Sequence, residues 1–368
     1  MLVPLAAATA DRCGAKAATL ATLLRHDLPV PDGVVVPFGT GDEFVDELAR
    51  WLEGVGDPAV AVRSSAANED TPLASAAGQH DSFLGVQGIA AVVDAVRACR
   101  ASVRSARATA YRQGAEVPPM AVIVQRHLDA DASGVMFTGP DGDAVIEASW
   151  GLGPSTVEGR ITPDRYEITT GSVTRTIADK PTALHRDSSR LVTRAVPAGR
   201  RRTPTLSDET AVHLADLGQQ IANLLGAPQD IEWALTADHL WFLQTRPITA
   251  ELPPSGNPRS ATLTGTPGSH GTATGPARIV RGPSDFPTVR PGDILICPLT
   301  DPAWTPLLSI AAGVVTETGG ILSHAAIIAR ERGIPAVLAV PNATTQIPNG
   351  TTTTIHGTTG AIHLHPVS

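Results

Sequence analysis

Cysteine is scarce. Cys13, Cys99 and Cys297 are far apart and show no paired spacing. That argues against a disulfide framework and against a cysteine-built zinc site. Lysine is scarcer: among 28 basic residues only Lys16 and Lys180 are lysines. A compact ammonium kept in an arginine-rich chain suits phosphate, so both positions invite a role. Positive charge is not in excess. The formal net charge is -8, which gives no general affinity for nucleic acid or for an anionic membrane. No apolar run approaches the length of a membrane span. The start, Met1-Leu-Val-Pro, is mildly apolar but has no basic leader, so a cytoplasmic protein is expected. What remains is an ordinary globular composition, 42% apolar over 368 residues, with room for two or three domains.

The richest stretch runs from Gly313 to Val340. Gly313 to Thr316 is β-branched and suits a buried strand. Gly319-Gly320 permits a tight turn. Ser323 is an expected N-cap, Ala325 to Arg332 a helix, and Gly333 with Pro335 its stop. Ala336 to Val340 is a second strand. The unit places His324 at a helix N-terminus, where free N–H groups favour phosphate. A neutral imidazole there could attack phosphorus. A lone histidine is more often a surface or capping residue. Here the glycine pair and the small Ala325 and Ala326 favour exposure for chemistry.

The run from Thr316 to Val337 resembles the mobile phosphohistidine domain of the dikinases, a family that includes phosphoenolpyruvate synthase, pyruvate phosphate dikinase and rifampin phosphotransferase. The resemblance implies that His324 carries the phosphoryl group. It extends to the N-terminal part. Gly14-Ala-Lys16 before a helix, then Pro29-Val-Pro and a strand at Val34 to Val36, is similar to the opening of the family's ATP-binding domain. Cys13 and Ala17 stand where that opening has glycines. The segment from Lys16 to Arg63 is shorter than the family's usual one.

Val62-Arg-Ser-Ser-Ala66 and Ala77-Gly-Gln79 resemble the family's triphosphate loop. An arginine with several small donors suits phosphates, whereas a solvated surface loop is the plainer alternative. By resemblance Lys16 and Arg63 hold phosphate oxygens, Gly78, Gln79 and Ser82 lie over them, and Gln125 lies near the adenine. Glu147 is a further candidate. Residues 88–113 read as a helix and residues 170–206 as an irregular, arginine-rich solvated face. The arginines at 200–202 have no interleaved aromatics, so no nucleic-acid patch is expected. Ser207 is an expected N-cap with Asp208 and Glu209 in the first turn.

Asp230 to Thr249 reads as a hairpin turning near Ala237 to His239. Period-two alternation puts Glu232 opposite Gln244, with Arg246 on the same face as Gln244. A carboxylate beside a carbonyl oxygen offers hard ligands for Mg²⁺, and Arg246 could neutralise leaving phosphate. A polar cross-strand trio on an exposed face is the plainer reading.

The expected fold is α/β and α+β, multidomain. Residues 1–249 form an ATP-grasp-like nucleotide domain, 250–261 a Pro- and Gly-containing linker, and 262–368 a swivelling β/α phosphohistidine domain. No segment between them is long enough for an acceptor domain. The resemblance implies a dikinase-type phosphotransferase using ATP and Mg²⁺, with His324, Arg246, Lys16 and Arg63 as catalytic residues and Glu232 with Gln244 as metal ligands. The acceptor is expected to be a small-molecule hydroxyl or enolate, an antibiotic and a biosynthetic intermediate both being open. A separate subunit could supply its site. Alternatives are a subunit of a split phosphoenolpyruvate synthase-like complex, a non-catalytic phosphocarrier, and an ATP-grasp ligase with no use for His324.

Overall fold

A computed structural model describes residues 1–67, 81–105, 109, 117–139, 142–169, 172–188, 190–237, 239–248 and 261–365. Among these residues three larger sheets follow one another along the chain. The first has five strands, in the order Val3–Pro4, Gly33–Val36, Met120–Arg126, Val60–Ala66, Ser82–Val86, each pairing antiparallel. Its central strands are nearly unbroken apolar runs because helices cover them. Phe44–Gly54 and Ile89–Ala101 pack on one face through Phe44, Leu48, Val92 and Val96. Ala10–Arg25 packs on the other through Leu20 and Leu23, against Ile123, Trp233 and Phe242.

The second sheet has six antiparallel strands, from His239–Pro247 through Gln229–Thr236, Ala132–Thr138, Ala144–Trp150 and Asp164–Thr169 to Ser172–Thr176. The helix Asp208–Leu225 lies on it, with Leu214 and Ile221 buried. Ser207 caps that helix as expected, its Oγ accepting from the Thr210 N–H at 3.0 Å. The third sheet lies within residues 263–364 and has eight strands. Its centre is the parallel run Thr272–Ile279, Ile294–Cys297, Gly313–Thr316, Ala336–Leu338. The helix His324–Arg332 connects the last two, and Gly333 ends it in the left-handed conformation. This is the expected sequence of an ATP-grasp-like domain followed by a β/α domain.

Three local expectations are corrected. The helix expected over residues 88–113 is α-helical at Ile89–Ala101 and continues as a 3-10 turn at Ser102–Arg104, and residues 110–113 lie outside the described set. Residues 170–206 contain the strand Ser172–Thr176 and the hairpin Thr182–Asp187/Arg190–Ala195. Half-exposed strands dense in arginine lack the apolar alternation that announces a strand. Lys180 is not a phosphate ligand. It is fully buried, and its Nζ lies 2.5 Å from Asp164 Oδ1. Asp164 also accepts from Ala178, Thr205 N–H and Thr205 Oγ1.

Candidate active site

The hairpin Gln229–Thr236/His239–Pro247 has the expected register: Glu232 faces Gln244 and Asp230 faces Arg246. A bulge between Glu232 and Trp233 shifts the pairing only beyond that point. The first sheet supplies Arg63, whose Nη2 donates to Glu232 Oε2 at 2.9 Å and Gln244 Oε1 at 2.7 Å. Its Nη1 donates to the Leu243 carbonyl at 2.6 Å. Residues predicted from two separate stretches therefore meet at one point, and only 12% of the Arg63 side chain is exposed. Two hard oxygens converge here on one cationic nitrogen. Such a donor set fits a small divalent cation whose other ligands are phosphate oxygens and water. Among the described residues no group of three or more His, Cys, Asp or Glu side chains is placed to hold a metal.

Ser82 lies opposite Arg63 on the neighbouring strand. Gly78 and Gln79 lie outside the described residues. Lys16 lies just past Gly14, where the two helical segments of Ala10–Arg25 meet at a kink with φ 81°. Glycine is needed there twice over: the φ is left-handed, and an added Cβ would lie 2.4 Å from the Ser65 carbonyl oxygen. The Ala17 N–H donates to Ser65 Oγ at 3.1 Å, so Lys16, itself buried, is held beside the strand that carries Arg63. Gln125 is buried as well, and its amide donates to the Pro31 carbonyl at 2.8 Å.

Further along the hairpin, Arg246 pairs with Asp230 at 2.8 Å. Burial pushes the Asp230 carboxyl up, and the Arg246 guanidinium opposes that shift. Arg330, from the helix His324–Arg332, comes close enough to feel the same groups. Burial pushes its guanidinium down to about 10, while Asp230 and Glu147 counter the shift. The hairpin thus runs from the Arg63 cluster toward the histidine-bearing helix.

His324 opens that helix, and its Nδ1 lies 2.8 Å from Thr300 Oγ1. The sequence favoured an exposed histidine; in the structure it is 6% exposed. The turn before it is seated on the second sheet. Ile321 and Leu322 pack against Val135 and Phe137. Thr318 Oγ1 donates to the Gly159 carbonyl at 2.6 Å. The buried Glu147 accepts from the Ile321 N–H at 2.7 Å and the Leu322 N–H at 3.0 Å. Burial pushes the Glu147 carboxyl up, and those two N–H groups oppose it. Ser323 is the N-cap by backbone only, its Oγ donating to the Gly320 carbonyl at 2.7 Å. Thr300 and Arg330 escaped the sequence reading, because their partners lie on distant segments and no spacing announces them; Asp230 was within reach of it, since the register that sets Glu232 against Gln244 also sets Asp230 against Arg246. A separate cavity of about 250 Å³, lined by Trp150, His185, Arg186 and Arg200 among others, shares none of these groups.

Two family models match the chain. Residues 40–262 match the pyruvate phosphate dikinase AMP/ATP-binding domain, and residues 289–360 the mobile domain of PEP-utilising enzymes. A probable phosphoenolpyruvate synthase of Methanothermobacter thermautotrophicus is 38% identical, over 90% of this chain and 58% of that protein. One of Archaeoglobus fulgidus is 32% identical, over 90% and 53%. The phosphoenolpyruvate synthase of Pyrococcus furiosus is 38% identical, over 77% and 38%. The chain therefore spans less than two thirds of each of these relatives. Among solved structures, a D-alanine-D-alanine ligase from Coxiella burnetii overlaps 65% of this chain and 48% of that one, at 13% identity and a TM-score of 0.33, too loosely to add to the fold assignment. No helix among the described residues is long and apolar enough to cross a membrane.

Proposed function

From the premise that this chain belongs to the family of pyruvate phosphate dikinase and the PEP-utilising enzymes, we propose that it transfers phosphoryl from ATP to His324 and onward to a small-molecule acceptor. The observation that carries the reading is the docking of the His324 turn on the same sheet whose hairpin gathers Glu232, Gln244, Asp230 and Arg246. Lys16 and Arg63 would meet the phosphate oxygens, with Gly78, Gln79 and Ser82 over them and Gln125 toward the adenine. Glu232 and Gln244 would hold Mg²⁺, which when bound neutralises phosphate charge. The convergence of their oxygens on the Arg63 cation supports that assignment.

The chemistry follows from atom balance. In the tautomer that carries its proton on Nδ1, facing Thr300 Oγ1 at 2.8 Å, the Nε2 lone pair would be the nucleophile. Attack on the β-phosphorus breaks its bond to the oxygen bridging to the α-phosphorus, and AMP leaves with that oxygen. Arg246 would balance the charge developing there. The β- and γ-phosphates stay on His324. Water or phosphate must then remove the γ-phosphate before the β-phosphoryl passes to an acceptor oxygen. Relatives named phosphoenolpyruvate synthase favour an enolate as that acceptor. His324 would meet ATP at one site and the acceptor at another, so the domain carrying it would swivel about residues 250–261, most of which lie outside the described residues. A second subunit could present the acceptor.

His324→Ala tests the reading. It is expected to bind ATP as before and to form neither phosphoenzyme nor AMP. AMP release at the unmodified rate would remove His324 from the mechanism and favour a ligase or ATPase.

A further inference from the structure

The geometry points to Glu147 as the positioning residue that holds the His324 domain in its ATP-facing pose; the inference rests on the phosphotransfer reading above. Glu147 stands in the strand Ala144–Trp150, in the middle of the second sheet. It is 2% exposed, and its two oxygens separately accept the Ile321 and Leu322 N–H groups at 2.7 and 3.0 Å. These are consecutive amides of the turn that leads into His324. A carboxylate that takes two consecutive N–H groups fixes both the position and the tilt of the backbone carrying them. His324 follows two residues after Leu322, so its approach to ATP is set at this point.

The partner turn is cut to receive the carboxylate. A Cβ added at Gly320 would meet the Glu147 oxygens at 2.2 and 2.3 Å. The contact is polar in a mostly apolar setting, with Ile321 and Leu322 against Val135 and Phe137 around it. That combination suits a joint that must reopen. An apolar patch alone would permit sliding, whereas two charge-assisted hydrogen bonds define one register. When the domain leaves for the acceptor, solvent can replace both N–H groups, so the carboxylate tolerates both states.

The test compares Glu147→Gln and Gly320→Ala with the unmodified protein. An amide at 147 sets an N–H donor against an N–H donor, whereas the alanine presses on the same carboxylate from the other domain. Amide hydrogen exchange at Ile321 and Leu322 is expected to quicken by about tenfold or more in each variant. The rate of His324 phosphorylation is expected to fall by a similar factor, with the dissociation constant for an ATP analogue unchanged. In a Glu147→Ala background, Gly320→Ala should cost nothing further, because its clash partner is gone. Unchanged exchange at Ile321 and Leu322 in a folded Glu147→Gln protein would overturn the inference, as would a labelling loss matched by weaker ATP binding. Absence of phosphohistidine in the unmodified protein would instead defeat the phosphotransfer reading, and exchange would still test the joint.

Discussion

Glu232, Gln244 and Arg63 show what single residues disclose. Alternation along the hairpin was enough to set Glu232 against Gln244, since side chains in a strand repeat every two residues. The addition of Arg63 to that pair is a tertiary fact, and only the family likeness anticipated it. Lys180 marks the opposite case. Its rarity was visible, but rarity does not separate a phosphate ligand from the partner of a buried Asp164. The ion pair does, because the Lys180 ammonium is already taken up by Asp164 Oδ1 at 2.5 Å, both side chains being wholly buried. The Glu232 assignment has its own consequence. Glu232→Ala should leave the fold intact, as the side chain is 28% exposed, and lower AMP formation by at least about a hundredfold. Near-normal turnover in a folded variant, measured by nucleotide chromatography, would release Glu232 from the metal site.

At the scale of elements, strong local signals translated well. The helix at His324–Arg332, stopped by left-handed Gly333, and the helix at Asp208–Leu225, started by Ser207, both carry their capping chemistry in the sequence. Elements held by tertiary contact did not announce themselves. The hairpin Thr182–Asp187/Arg190–Ala195 alternates poorly, and its exposed arginines read as loop. Gly14, which local rules treat as a boundary, is one: Ala10–Arg25 is two helical segments meeting at a kink there, and what the sequence does not announce is the close fit of Gly14 against Ser65. A cap legible in sequence should also be measurable: Ser207→Ala is expected to cost about 0.5–2 kcal/mol in urea unfolding, without changing His324 labelling. A midpoint identical to that of the unmodified protein would mean the Thr210 N–H finds an equal partner without the hydroxyl.

At the scale of the molecule, the order of domains was legible because each carries long motifs, and the matched segments 40–262 and 289–360 follow that order. How they meet was not. No sequence rule links Glu147 to the amides of Ile321 and Leu322, which lie some 170 positions further along the chain. The swivel proposed here predicts more than one arrangement. Dyes on Val55→Cys and Ile310→Cys, both exposed and in different domains, should report at least two interdomain distances, with an ATP analogue enriching the docked one. The native cysteines among the described residues are buried and should label little. A single distance that ignores nucleotide would argue for a rigid pair and place the acceptor beside ATP.

The most direct test of phosphotransfer through His324 is to incubate the protein with magnesium and ATP labelled at the β-phosphate, then to identify both the nucleotide released and the labelled residue. The account predicts unlabelled AMP and a β-label on His324 that is acid-labile and stable in base. Release of labelled ADP, with no label on His324, would contradict it.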